Sequence, residues 1–540
     1  MRVKPISLEN QSKLVTDYRN RKQNILQYFH YDPFDKKVFA QRLKDIAAMK
    51  YKREELSDVL KKCNHKWGAG EKTLSNIERL KDEKSVTVVG GQQAGLLTGP
   101  LYSIHKMISI IKLAREQEEA LGVPVIPLFW IAGEDHDYEE INHVYLPRGD
   151  RMKKFRTLQQ QVEKKSVSHM KLDQEVTGQW LDNLFGNLKE TQYTKELHKK
   201  LKELIKHSET FVDFFAQVTF ALFRDEGLVL LDSGDPEIRG LESEYFQSMM
   251  THQPEIASGV AEALHQTSQS GYTIPVDADN TDGHLFYHHN GERVLLTVNE
   301  GDWTGKNGEC SLTDDEIREI AEHSPELLSN NVVTRPMMQE LLLPVLAFVG
   351  GGGEVAYWSL LKAGFEALGL KVPPVLPRLS FTLIDPKREK TLRSLALSVD
   401  HVIQNGVDVE RIAWLKRQTH APVEEVSDQV KLTIEKVHEP LRDIAKEAGD
   451  DVAQLADKNL THLLREVEYL EQRIDYSIRM KHQETVQKFN DLELFLYPEG
   501  GLQERTWNVL YWLNTYGEDW IHELMDKEME WESSHYVLYL

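Results

Sequence analysis

The stretch FWIAGEDHDYEEIN sets acids around one histidine directly after an apolar run: Glu134, Asp135, His136 and Asp137. Asp135 or Asp137 suits an ammonium group or sugar hydroxyls. His136 titrates near neutrality and suits a general base or a donor to an anion. The same residues also read as caps at a helix start, where carboxylates meet free N–H groups. A second group lies in VTVVGGQQAGLLTGPLYSIHKM, where Gln92, Gln93, Gly95, Gly99 and Lys106 mark a glycine-rich strand-to-helix turn. The order GGQQAGLLTGP matches neither G-x-G-x-x-G nor G-x-x-x-x-G-K-[ST], so the loop suits a ligand without spelling a familiar phosphate site. In AFVGGGGEVAYW, four consecutive glycines separate a strand from a helix. Bare backbone at Gly351 and Gly352 admits close approach, and Glu354 and Tyr357 follow in the first helical turn. Asp232, after LVLL, and Arg378 with Ser380, in VLPRLSF, mark further strand ends. Arg335, in VVTRPMM, is another arginine able to fork onto a carboxylate or phosphate. Near the end, LQERTWNVLYW carries Gln503, Arg505, Trp507 and Asn508, read either as an aromatic anchor or as a second, nucleotide, pocket.

The elements that must position these residues are legible as pattern. VTVVGG, VPVIPLFWIA, LVLLDSGD, LLLPVLAFV and VPPVLPRLSFTLI are continuous apolar runs, and helical stretches separate them. That pattern is an α/β fold whose parallel sheet is covered on both faces, with ligands at the carboxyl ends of the strands. The predicted core spans residues 1–385, with a helical start to about residue 84 and inserted segments at about 146–225 and 265–330. The second insertion reads as a hairpin turning at Asn290-Gly291. His284, His288 and His289 flank that turn and read as exposed, not as a metal site. Cys310 reads as structural, just before a helix that Thr313 can cap. Residues 386–495 read as an α-helical coiled-coil hairpin: Ala453, Ala456, Leu460, Leu463, Val467, Leu470 and Ile474 form a heptad seam, and Val430, Ile434, Val437, Leu441 and Ile444 a similar one. Such a pair either packs within its own domain or makes a homodimer. Residues 496–540 are expected to pack back on the core.

Composition narrows the classes. The formal net charge of −21 over 540 residues argues against a nucleic-acid partner. Two cysteines exclude a disulfide framework and suggest a reduced cytoplasm. The start, MRVKPISLENQ, lacks a signal-peptide core, and no apolar run reaches the roughly 20 residues of a membrane span.

Together GGQQAGLLTGPLYSIHK, FWIAGEDHDYEEIN, RPMMQELLLPVLAFVGGGGEVAYW, PRLSF and LQERTWNVLYW resemble the bacillithiol biosynthesis cysteine-adding enzymes, the BshC family, from about residue 80 to the end. The resemblance implies a Rossmann-like core similar to class I aminoacyl-tRNA synthetases, a dimerising coiled coil, and the last step of bacillithiol synthesis. There, cysteine is joined through its carboxyl to the amine of glucosaminyl-malate. A carboxylate must be activated first, so ATP or another nucleotide, with Mg²⁺, is the candidate co-reactant, through an acyl-adenylate or an acyl-phosphate. No tightly bound metal is expected. The resemblance casts His136 as proton acceptor, Asp135 and Asp137 as holders of the sugar or amine, and Arg335 and Arg378 as partners of a carboxylate or phosphate. GQQAGLLTGP stands where the synthetases carry a HIGH-type histidine pair, and PRLSF where they carry a KMSKS-type loop. Two other readings stay open: a related amino-acid ligase or nucleotidyltransferase acting on another amine, and a non-catalytic metabolite-sensing coiled-coil scaffold.

Overall fold

Five of the apolar runs become five parallel strands: β1 (Val86–Gln92), β2 (Val125–Ile131), β3 (Val229–Asp232), β4 (Val345–Gly350) and β5 (Val375–Pro377). The computed structural model describes residues 1–9, 11–418 and 422–540. The strand order is β5-β4-β1-β2-β3. The chain therefore winds one way from β1 to β3, then returns to the other side of β1 for β4 and β5. That reversal opens a crevice beyond the carboxyl ends of β1 and β4, the topological switch point where open α/β sheets bind ligands. All of β2 is buried, as a strand covered on both faces must be.

Helix α1 (Tyr102–Leu121) follows β1 and ends at Gly122, whose left-handed backbone (φ 66°, ψ 25°) closes it. Helix α2 (Pro236–Thr251) follows β3. Asp235 caps it by accepting from the amides of Glu237 and Ile238, with Pro236 in the first turn. Helix α3 (Thr334–Leu342) leads into β4, and α4 (Gly352–Trp358) leaves it.

Several expectations need correction. The expected helical stretch runs from Lys13 to Arg79, but ahead of it Arg2–Ile6 is a strand paired antiparallel with His535–Tyr539. VPPVLPRLSFTLI is not one strand but two. It leaves the central sheet after Pro377, and Phe381–Ile384 joins His535–Tyr539 in a separate three-stranded sheet. The break falls at Arg378–Ser380, where side chains enter a buried polar network. The 265–330 region forms a five-stranded antiparallel sheet. Its hairpin turns at Asn290 (φ 51°) and Gly291 (φ 84°), the backbone an Asn-Gly turn favours. It is less exposed than expected, because His284 is buried.

The chain divides into two compact units, and residues 502–540 belong with the sheet-bearing one. The other carries α5 (Val423–Ala448) and α6 (Asp450–Lys481), an antiparallel pair joined at Gly449. Ser427 donates to Glu471 and His438 bonds Asn459 (3.0 Å), which fixes the register. The face turned to α6 thus carries Ser427, Ile434, His438 and Ala445. Val426, Val430, Val437, Leu441 and Ile444 form a stripe that stays 42–71% exposed, and Leu463, Leu470 and Ile474 of α6 are exposed too. Of the expected α6 seam, Ala453, Ala456, Leu460 and Val467 are half-buried, whereas most of the expected α5 seam lies outside the hairpin's own contact face.

Gly91 lets β1 lie against β2: a β-carbon there would come within 2.4 Å of the Trp130 carbonyl oxygen. At Gly353 a β-carbon would meet nothing within 4 Å. Gly91→Ala is expected to lower stability by roughly 1–3 kcal/mol or more, and Gly353→Ala to leave it unchanged, as read from urea unfolding midpoints.

Candidate active site

The crevice at the switch point is a cavity of about 650 Å³. Gln92, Gln93, Lys106, Asp135, His136, Arg335, Gly351, Gly352, Glu354, Tyr357, Arg378 and Arg505 all line it. Lys106, buried on α1, ties its floor together. Its ammonium donates to the Gly91 carbonyl (2.6 Å), Gln92 Oε1 (3.2 Å) and Glu354 Oε2 (2.5 Å). Glu354 also accepts from the Gly351 amide (2.7 Å). One cation thus joins the end of β1 to the start of α4. Burial pulls the Lys106 ammonium below its usual pKa, against the pull of Glu354. Of the four glycines, Gly350 and Gly352 are explained by packing, against Phe348 with Glu354 and against Val15 respectively.

Arg378 is not a waiting clamp. Its fork is filled by Glu504 from the C-terminal segment (2.8 and 2.6 Å). His105 (2.7 Å) and Ser380 (2.8 Å) bond the same carboxylate, and Ser380 also bonds His535 (2.7 Å). Burial pushes Glu504 upward, but Arg378 and His105 win and hold it well below the usual carboxylate range. Ser380 therefore belongs to this network and lies outside the cavity lining. Gln503, Trp507 and Asn508 are likewise buried, which favours the anchor to the core over a second pocket. Gln503 pairs with both main-chain groups of Leu383 (2.8 and 2.9 Å). Asn508 donates to the carbonyls of Leu97 (2.9 Å) and Gly99 (2.6 Å). Those bonds pin a strained turn, with Leu97 (φ 49°) and Thr98 (φ 67°) in the left-handed region. Gly95 and Gly99 belong to that turn and pack on each other rather than on the cavity. Of this segment, Arg505 reaches the cavity.

The opposite wall is acidic and held by a residue that sequence reasoning missed. Arg293, on the hairpin, is buried and stacks over Phe286 at 3.7 Å. It donates to Ser329 Oγ (3.1 Å), the Asn330 carbonyl (2.6 Å), Asp135 Oδ1 (3.4 Å) and His136 Nδ1 (3.2 Å). Gln93 donates to Asp135 Oδ2 (2.7 Å). Burial alone would raise the Asp135 pKa, yet Arg293 and Gln93 bring it below the usual value, so it stays ionised. Behind it, Glu134 and Glu242 share Arg239 (2.5 and 2.7 Å), all buried. Nothing near Arg293 in sequence marks it: the hairpin reads as an outlying insertion.

Two cations remain uncommitted. Arg335 has a 3.4 Å contact with the Tyr357 hydroxyl, and neither Arg335 nor Arg505 forms an ion pair among the described residues. Lys106, Arg293 and Arg378 are each matched with a carboxylate. The arrangement is fit to take a ligand with more than one negative charge, and offers ionised Asp135 to a cation or hydroxyl groups.

Asp137 is exposed and outside the cavity lining. Asp232 is outside it as well: its Oδ1 accepts from Ser168 Oγ (2.7 Å) and the Gly234 amide (3.0 Å). Among the described residues no group of three His, Cys, Asp or Glu is placed to hold a metal ion, and no helix is long and apolar enough to cross a membrane. Burial lifts the Asp232 pKa to about 7, above its unfolded value near 3.8. The folded state then holds a proton that the unfolded state has lost, so this group lowers stability as pH rises between those values. Asp232→Asn keeps the Oδ1 acceptor and removes the titration. Its stability relative to wild type is expected to grow with pH across pH 4–7, by up to about 1.4 kcal/mol per unit. Urea unfolding at several pH values checks this.

Comparisons with known proteins agree with this architecture. Residues 1–379 match the family model "Bacillithiol biosynthesis BshC, N-terminal Rossmann-like domain", and residues 381–540 match "Bacillithiol biosynthesis BshC, C-terminal coiled-coil domain". The chain is 42% identical to a protein of Oceanobacillus iheyensis, 40% to one of Geobacillus sp. (strain WCH70) and 38% to one of Bacillus cereus (strain AH187). Each match covers 100% of both chains, and each relative bears the name "Putative cysteine ligase BshC".

Proposed function

The chain belongs to the bacillithiol biosynthesis BshC family, and from that premise we propose that it joins the carboxyl of cysteine to the free amine of glucosaminyl-malate. The observation that carries this reading is the pair of uncommitted arginines, Arg335 and Arg505, in one switch-point cavity. Malate brings two carboxylates, and an arginine fork suits each. Asp135, kept ionised by Arg293 and Gln93, meets an ammonium or sugar hydroxyls across the cavity from them. Amide formation then forms the C–N bond as the activating group leaves the acyl carbon and the amine loses a proton. Activation is assigned to a nucleotide, ATP with Mg²⁺, as co-substrate. The two free thiols, Cys63 and Cys310, suit a reduced cytoplasm.

A reconstituted assay with cysteine and glucosaminyl-malate, with and without ATP and Mg²⁺, tests the reading by product mass. Product with AMP indicates an adenylate, and product with ADP an acyl-phosphate. Absence of product under every condition rejects the proposal. Arg335→Ala is expected to lower kcat/KM about 10- to 100-fold, mostly through KM, from loss of charge-assisted hydrogen bonds. The loss should shrink with glucosamine in place of glucosaminyl-malate.

The exposed apolar stripe of α5 and α6 is assigned to a homodimer. Val437→Glu with Leu441→Glu is expected to give a 62.4 kDa monomer where wild type runs at twice that mass. Light scattering after size exclusion reads the difference.

A further inference from the structure

His136 is held by a neighbour that can only donate. A guanidinium has five N–H groups and no acceptor, so the 3.2 Å contact from Arg293 Nη1 to His136 Nδ1 requires the lone pair to be on Nδ1. A neutral imidazole carries one N–H, which must then be on Nε2. Arg293 is not free to swing away. Ser329, the Asn330 carbonyl and Asp135 accept its other N–H groups, and the Phe286 ring lies under its plane. The His136 ring is also fixed, edge-on to Phe286 with centroids 6.1 Å apart. Protonation at Nδ1 would set a hydrogen against that fixed cation.

From this geometry we infer that His136 presents its Nε2–H to the cavity as a hydrogen-bond donor to the substrate's reacting oxygen, and is not the base that takes the amine proton. The assignment of that oxygen rests on the amide-forming reading above. As the amine attacks the activated carbonyl, the new C–N bond pushes an electron pair onto the carbonyl oxygen. The Nε2–H meets that charge. The pair returns as the activating group leaves, and the amine's proton departs with that group or to solvent. A donor aimed at developing charge needs no change in its own protonation. The charged and titratable groups around the ring are Asp135, 3.8 Å from Nδ1, with Arg293, Asp137, Lys164 and His288. Burial and Arg293 together keep the His136 pKa below its ordinary value, so the ring is neutral at neutral pH.

The test compares His136→Gln with His136→Ala. A glutamine amide nitrogen can stand near the Nε2 position and donate, but it cannot serve as a base at neutral pH. His136→Gln is expected to keep a tenth or more of wild-type kcat while His136→Ala loses roughly 10²–10³-fold. Folded His136→Gln protein as inactive as His136→Ala overturns the inference. A second measurement needs neither substrate nor turnover. In protein labelled with ¹⁵N-histidine, signals absent from His136→Gln identify the residue. They are expected to show an unprotonated Nδ1 and a protonated Nε2, and the reverse pattern overturns the inference. If wild type makes no amide product, the functional reading fails while the nitrogen signals still decide the tautomer.

Discussion

One buried ammonium organises the site. Lys106 lies beneath the point where the sheet reverses direction and joins the Gly91 carbonyl to Glu354, which in turn caps α4 through the Gly351 amide. A charge removed from water must be paired closely or it is costly. The ends of β1 and β4 are therefore tied to one another through α1. The cavity is a consequence: with the floor closed by a matched pair, the charges left facing inward are those of the upper wall.

The wall is assembled from distant parts of the chain. Glu504 arrives 126 residues after Arg378 and neutralises it, so an arginine that looks like a ligand clamp becomes a strut. Arg293 arrives from the hairpin and does the converse for Asp135, keeping a half-buried carboxylate charged. The same pairing logic that silences Arg378 leaves Arg335 and Arg505 uncommitted.

Much of this was legible in the sequence. Continuous apolar runs separated by helices identify a parallel sheet, and the turns after β1, β2 and β4 do converge. Lys106, Glu354 and Asp135 sit where strand-end reasoning puts them, and Arg335 joins them from the first turn of α3. What stayed hidden is pairing. VLPRLSF looks the same whether Arg378 faces a substrate or Glu504, and GERVLL gives no hint that Arg293 enters the cavity. The LQERTWNVLYW segment suggests a pocket by composition, yet Gln503 and Asn508 spend their amides on main-chain groups of Leu383, Leu97 and Gly99. Such long-range choices depend on three-dimensional neighbours that a local pattern does not encode. Strand Arg2–Ile6 was missed for a like reason, since its partner lies at the other end of the chain.

The most direct test of the central claim is a crystal structure of the protein bound to glucosaminyl-malate. The account predicts the malate carboxylates on Arg335 and Arg505, with the sugar facing Asp135 and Lys106 still closed on Glu354. A ligand seated away from the switch point, with Arg335 and Arg505 untouched, would contradict it.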